Sequence, residues 1–211
     1  GNFGDIFAGY LARQMGLPVE RLIIATNRND VLHRVMTNGA YGRQSLAQTL
    51  SPSMDITVSS NFERLLFDLG GRDGTATAAQ MTGFESSKAM QLTNAQRQGA
   101  SKLFTSARVE PDSMADALRW AWDAAGELID PHTAVGLAAA RRGRHADGPV
   151  VSLATAHAAK FPETVKQALG IDPGLPDRAR AFTSKPEKFD TGPMSADFVR
   201  QRVDAIVAKA S

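Results

Sequence analysis

The sequence predicts an α/β fold, with short parallel strands flanked by many helices. Three observations lead there. Apolar residues recur at the three-to-four spacing of a helix face in segment after segment. Two short runs rich in β-branched residues, Arg21 to Thr26 and Pro149 to Thr155, read as buried strands. Around the first run the order is helix, strand, helix with short connections, the pattern a parallel sheet produces.

Residues 5–16 form the first expected helix. Ile6, Phe7, Tyr10, Leu11 and Met15 share one face, and Gly16 with Pro18 stops it. After the strand at 21–26, Asn29 or Asp30 can cap a helix through Val31, Leu32, Val35 and Met36, which Asn38-Gly39 ends. Residues 40–58 are mixed, with a turn at Ser51-Pro52-Ser53. Residues 61–70 are a helix with a glycine stop. Residues 71–91 are small and polar and stay open between a helical insertion and a mobile loop. Residues 93–106 are expected to be helical.

Pro111 to Gly126 is the strongest helix, capped early and closed by glycine. Asp130-Pro131 opens another at 132–140, closed by Arg141 to Gly143. The second strand, 149–155, leads to a helix at 161–169. Residues 171–193, rich in Pro, Gly and Lys, read as a surface loop. Ser195 caps a closing amphipathic helix carrying Phe198, Val199, Val203, Ile206 and Val207.

Bulk properties narrow the function. With 211 residues, 43% hydrophobic and 22% charged, the chain suits one sizeable globular domain or two small ones. The net charge is +2 and the basic residues cluster only at Arg141, Arg142 and Arg144, so no nucleic-acid stripe is expected. The absence of cysteine excludes disulfides, zinc–thiolate sites and a cysteine nucleophile. No apolar run approaches the ~20 residues of a membrane span, and no signal peptide or metal-ligand pattern is seen. The chain opens without Met on Gly1-Asn2-Phe3-Gly4-Asp5. A motif at residue 1 predicts a fragment, with apolar surface left bare near Phe3, Ile6 and Phe7.

Four segments hold candidate chemistry. Gly1 to Asp5 lies at the mouth of a helix, where glycines and unpaired N–H groups cradle an anion; a plain glycine turn with Asp5 on the helix dipole is the alternative, and the charge of Asp5 opposes a phosphate. Asn27, Arg28, Asn29 and Asp30 crowd the carboxyl end of a strand, where Arg28 can pair with phosphate or carboxylate or simply be solvated beside a cap. Asp130 to Gly136 carries His132 and Thr133, as a catalyst or as capping. Leu153 to Phe161 puts Thr155 and His157 past the second strand, in a crevice or in a turn capped by Thr155.

Taken in order, Gly1-Asn-Phe-Gly-Asp-Ile-Phe-Ala-Gly-Tyr10, Ala25-Thr-Asn-Arg-Asn-Asp-Val-Leu-His-Arg34, Thr49-Leu-Ser-Pro-Ser-Met-Asp-Ile56, Val58-Ser-Ser-Asn-Phe-Glu-Arg-Leu65, Asp130-Pro-His-Thr-Ala-Val-Gly136 and Ala154-Thr-Ala-His157 resemble the threonine synthase family from residue 1 to about 170. The resemblance implies the C-terminal portion of a two-domain enzyme of the tryptophan-synthase-β type that uses pyridoxal 5'-phosphate (PLP). It implies conversion of O-phospho-L-homoserine and water to L-threonine and phosphate, in the cytoplasm, with no membrane or nucleic-acid partner. Residues 1–170 then belong to the PLP-binding region. Gly1, Asn2, Phe3, Gly4 and Asp5 would hold the cofactor phosphate, and Thr155 the pyridine nitrogen. Asn27, Arg28, Asn29, Asp30 and His157 would face substrate. Residues 171–211 add a loop and a helix that match no motif.

The Schiff-base lysine of the family precedes the phosphate loop. None of Lys88, Lys102, Lys160, Lys166, Lys185, Lys188 and Lys209 stands in its motif, so the resemblance implies a missing N-terminal half and an inactive chain. The family often has Pro after the histidine of the Thr-Ala-His turn; here it is Ala158. A threonine dehydratase would share the phosphate loop but not the Leu-Ser-Pro-Ser-Met-Asp and Ser-Ser-Asn-Phe-Glu segments. A non-catalytic phosphate- or PLP-binding homologue is the remaining alternative.

Overall fold

The computed structural model describes residues 1–142 and 148–210. In chain order, α1 (Gly4–Gln14) leads to β1 (Leu22–Thr26), α2 (Val31–Asn38) and β2 (Ala40–Gly42). A 3-10 turn at Pro52–Met54 precedes α3 (Phe62–Leu69), α4 (Gly74–Ser87), β3 (Ala89–Gln91), α5 (Asn94–Ser101) and β4 (Phe104–Arg108). Next come α6 (Pro111–Ala125), α7 (Pro131–Arg142), a 3-10 turn at Ala158–Lys160 and α8 (Pro162–Leu169). The chain closes with α9 (Asp177–Thr183) and α10 (Ala196–Ala210). Gly143 and Arg144 lie outside the described residues.

The chain divides into two compact units, residues 1–174 and 175–211. In the first, β1 and β4 run parallel, from Leu22 opposite Phe104 to Thr26 opposite Arg108. Side chains alternate across a strand. Leu22, Ile24 and Phe104 accordingly join one core with α1, α2 and α3, while Ile23, Ala25 and Ala107 join a second with α6 and α7. A separate antiparallel pair joins β2 to β3. In the second unit, the Ser195 hydroxyl accepts the Phe198 amide at 3.4 Å as the expected cap, and Val199, Val203 and Ile206 are exposed.

Helix boundaries follow local chemistry. α6 has Pro111 in its first turn and ends on Gly126, whose φ of 68° suits a residue without a side chain. Strand assignment was less local. Residues 149–155 form no strand: Val150, Val151 and Leu153 are exposed, and no ladder partner runs beside them among the described residues. Propensity without a partner does not make a strand. Conversely, residues 104–106, the end of the expected 93–106 helix, belong to β4 and pair with β1; α5 ends at Ser101. Residues 71–91 resolve into α4 and β3, and the expected 171–193 loop contains α9.

The expected bare surface at the first helix is also corrected. Phe3 and Phe7 are buried and Ile6 is partly buried. Phe3 packs among Phe7, Phe62 and Phe104 with ring centroids 5.4–6.3 Å away. The large apolar side chains exposed on α1 or just past its end are Leu11, Met15 and Leu17.

Tyr41 of β2 is buried against Phe62 and Phe84. Its hydroxyl donates to the Ser59 carbonyl (3.1 Å) and accepts the Ser59 amide (2.8 Å). Burial of the phenol pushes its pKa up from 10.0 to about 12. A raised pKa means the contribution to stability is whole below about pH 10 and is lost as pH climbs through the folded value. A tyrosinate absorbance titration should therefore show one of the two tyrosines ionising only near pH 12. Both ionising together near pH 10 in the folded chain would contradict a buried, bonded ring.

Candidate functional site

The Gly1–Asp5 segment forms a wall beside 51–61. Phe3 takes a left-handed conformation (φ 66°, ψ 2°), costly for a residue with a Cβ, and its buried ring holds it there. This bend turns the chain into α1, so that the first-turn N–H groups of α1 open beside the loop. Asn2 donates from Nδ2 to the Ser60 hydroxyl at 2.8 Å, accepts the Ser60 amide at 2.6 Å, and its carbonyl accepts from Asn61 Nδ2 at 2.9 Å. A Cβ at Gly1 would sit 3.6 Å from Met54 Cγ and 3.8 Å from the Ser53 carbonyl. Asp5 lies exposed in the first turn of α1, where it complements the dipole. Ser59 Oγ is a buried side-chain oxygen without a hydrogen-bond partner among the described residues.

At the carboxyl end of β1, Asn27 and Asn29 turn inward. Asn27 Nδ2 reaches Thr49 Oγ1 (2.8 Å), Ser51 Oγ (3.0 Å) and Asp55 Oδ1 (2.8 Å). Its Oδ1 accepts the Asn29 amide at 2.9 Å. Asn29 exchanges hydrogen bonds with the Ala47 backbone (2.8 and 2.9 Å) and donates to Asp55 Oδ1 (2.9 Å). Asp55 in turn accepts from the amide and hydroxyl of Thr49. These bonds tie residues 47–55 to the strand end. Asn29 and Asp30 do not cap α2 through their side chains. Asp30 pairs with Arg34 (3.0 Å) and Arg108 (3.3 Å), while the exposed Arg28 pairs with Glu110 at 3.4 Å.

Asp130 is fully buried at the start of α7. Oδ1 accepts the His132 amide (2.8 Å) and His132 Nδ1 (2.7 Å); Oδ2 accepts the Thr133 amide (3.3 Å) and the Thr133 hydroxyl. Burial alone would raise this carboxyl's pKa. Hydrogen bonds from the His132 ring, the Thr133 hydroxyl and the His132 amide outweigh it, and the pKa is held below the ordinary value. His132 Nε2 accepts the Ser53 amide at 3.0 Å. These partners assign the neutral ring with its proton on Nδ1. The ring also lies 4.3 Å from that of Phe161.

The Thr133 hydroxyl, having given its proton to Asp130, accepts the Thr155 amide at 3.0 Å. Thr155 is exposed, and its own hydroxyl has no partner among the described residues. The turn is capped by His157 rather than Thr155: His157 Nδ1 accepts the Ala159 amide at 3.1 Å. A run of neighbours thus leads from Gly1 through Met54 and Ser53 to His132, Asp130, Thr133 and Thr155, whereas Arg28 and Asp30 pair with Glu110, Arg34 and Arg108 at the strand edge and His157 caps its own turn. Sequence reasoning missed Asp55, Thr49 and Ser51 as the anchors of Asn27. Their polar side chains within the Thr49–Ile56 segment were the signal available.

Among the described residues no helix is long and apolar enough to cross a membrane, and no group of three His, Cys, Asp or Glu side chains could hold a metal.

Comparison with known proteins gives a consistent picture. Residues 133–203 match a family model described as the C-terminal part of threonine synthase. Threonine synthase of Pseudomonas aeruginosa is 52% identical over 178 residues, covering 83% of this chain and 38% of that protein. The Corynebacterium glutamicum threonine synthase is 40% identical over 100% of this chain and 45% of its own length. Among solved structures, PLP-bound threonine synthase from Brucella melitensis superposes with a TM-score of 0.85 at 44% identity, covering 96% of this chain and 44% of that one. The yeast threonine synthase gives 0.82 at 36% identity, over 99% of this chain and 46% of that one. The chain therefore spans less than half the length of these relatives.

Proposed function

Because the chain corresponds to the C-terminal region of the threonine synthase family, we propose that it supplies part of the PLP site of such an enzyme, which makes L-threonine and phosphate from O-phospho-L-homoserine and water. The observation that carries this reading is the run of contacts from Gly1 to Thr155. It joins an anion cradle at one end to a free hydroxyl at the other, the two ends a phosphorylated pyridine presents. When bound, PLP supplies an electron sink for carbanion chemistry.

The residues fit that group by their chemistry. The Gly1–Asp5 backbone at the mouth of α1 offers N–H groups and the positive end of a helix dipole to a phosphate. The orphaned Ser59 hydroxyl lies next in sequence to Ser60 and Asn61, both bonded to Asn2. The Thr155 hydroxyl is free to bond a ring nitrogen, and being neutral it does not force that nitrogen to carry a proton.

Among the substrate candidates, Arg28 can exchange Glu110 for a phosphate or carboxylate, and His157 keeps Nε2 available. Asn27 and Asn29 act through residues 47–55, and Asp30 holds Arg34 and Arg108. The Schiff-base lysine comes from the part of the enzyme preceding the phosphate loop, and the location is cytoplasmic. The 211-residue chain alone is expected to give no turnover.

A phosphate-release assay with PLP and O-phospho-L-homoserine tests the reading. The full-length protein carrying this chain should release phosphate and form threonine, and the chain alone should not. Thr155→Ala in the full-length protein removes one neutral hydrogen bond of about 0.5–1.5 kcal/mol, so kcat should fall roughly 2- to 10-fold. Unchanged kcat would place the ring nitrogen elsewhere.

A further inference from the structure

We propose that Asp130 is a positioning residue that sets the spacing between the phosphate wall and the Thr155 turn; this rests on the PLP reading above. A helix cap alone would need only the two amide bonds that Asp130 accepts, from His132 and Thr133. The carboxylate also takes the His132 ring proton and the Thr133 hydroxyl proton.

Each of those two bonds fixes an acceptor that faces a different loop. A carboxylate only accepts, so Thr133 must donate to it and is left with lone pairs for the Thr155 amide, 3.0 Å away. His132 must likewise donate from Nδ1, which leaves Nε2 for the Ser53 amide, 3.0 Å away. Ser53 belongs to the stretch against Gly1, and that stretch is itself tied to Asn27. One fully buried charge thus dictates the polarity of two arms, one for each end of the cofactor. Neither arm is exposed at Asp130 itself, so the carboxylate acts on bound groups only through His132 and Thr133.

The test uses the full-length protein, with amide hydrogen exchange and equilibrium PLP binding as readouts. Thr133→Val should speed exchange at Thr155 but not at Ser53 and weaken PLP binding roughly 10-fold, the scale for losing a group that orients a ligand contact. Thr133→Ser should restore both. His132→Phe should free the Ser53 amide alone. Asp130→Asn, whose NH2 faces Thr133 while its one oxygen still accepts from His132, should free the Thr155 amide, and Asp130→Ala should free both amides. In a double-mutant cycle, Thr133→Val should add nothing to Thr155→Ala, because both silence the same contact. Additive losses, or unchanged exchange at Thr155 in Thr133→Val with PLP still bound, would overturn the positioning role alone. A wild-type protein that binds no PLP would overturn the cofactor reading and this role together.

Discussion

Phe62→Ala should destabilise the chain by about 3–5 kcal/mol, the cost of deleting a buried phenyl group. Phe62 opens α3 and is 1% exposed. It meets Phe3 edge-on at 5.4 Å and stacks on Tyr41 at 5.2 Å. Such pairs add about 0.5–1.5 kcal/mol beyond burial. The larger interest is in Phe3, whose left-handed backbone costs about 1–2 kcal/mol and persists because its ring is clamped. Removing Phe62 opens one side of that clamp, so Gly1–Asp5 should loosen along with the core. Urea unfolding gives the first effect, and amide exchange at Phe3 and Gly4 gives the second. A loss under about 1 kcal/mol would mean the site collapses around the gap rather than depending on the ring. Phe182→Ala is the matched control: Phe182 is 64% exposed in α9 and should change stability by less than about 0.5 kcal/mol.

Asp130→Asn should cost about 3–5 kcal/mol at neutral pH, the range for breaking a buried charged network by removing one partner. The amide keeps one acceptor oxygen, but its NH2 faces the Thr133 amide and hydroxyl, both donors. The pH dependence distinguishes this from a packing defect. The folded pKa of Asp130 lies below the ordinary carboxyl value. The stability it contributes is therefore whole above about pH 4 and is lost as pH falls through the folded value. The gap between wild type and Asp130→Asn should be full at pH 7 and shrink progressively below pH ~4. A gap that stays constant into acid would contradict a charge-based role.

Much of the fold was legible where local chemistry decides it. The apolar run Leu22–Thr26, the Pro111 start and Gly126 stop of α6, and the polar cap of α10 each name their own structure. What was not legible depends on distant partners. Phe-Thr-Ser-Ala-Arg at 104–108 becomes a strand because β1 lies beside it, and 149–155 stays irregular because no strand pairs with it among the described residues. Apolar surface was expected to stay bare near Phe3, and its burial comes from the convergence of Phe7, Phe62 and Phe104.

The site divides the same way. The glycine loop and the Thr155 turn could be picked out as motifs. Their connection could not, because Ser53 to His132 and Thr133 to Thr155 span 79 and 22 residues. The expected cap at Thr155 falls to His157, whose ring nitrogen accepts the Ala159 amide at 3.1 Å.

The parallel pair β1–β4 has one more consequence. Ile23 and Ile24 are neighbours in the chain, yet each looks into a different interior. The pair works as a party wall between two rooms. A change of furniture in one, a smaller residue at Ala107 or a larger one at Ala25, is answered by α6 and α7, while the aromatic room of Phe3, Tyr41 and Phe62 keeps its arrangement. Each interior is free to drift in composition at its own pace, so long as the wall keeps its register.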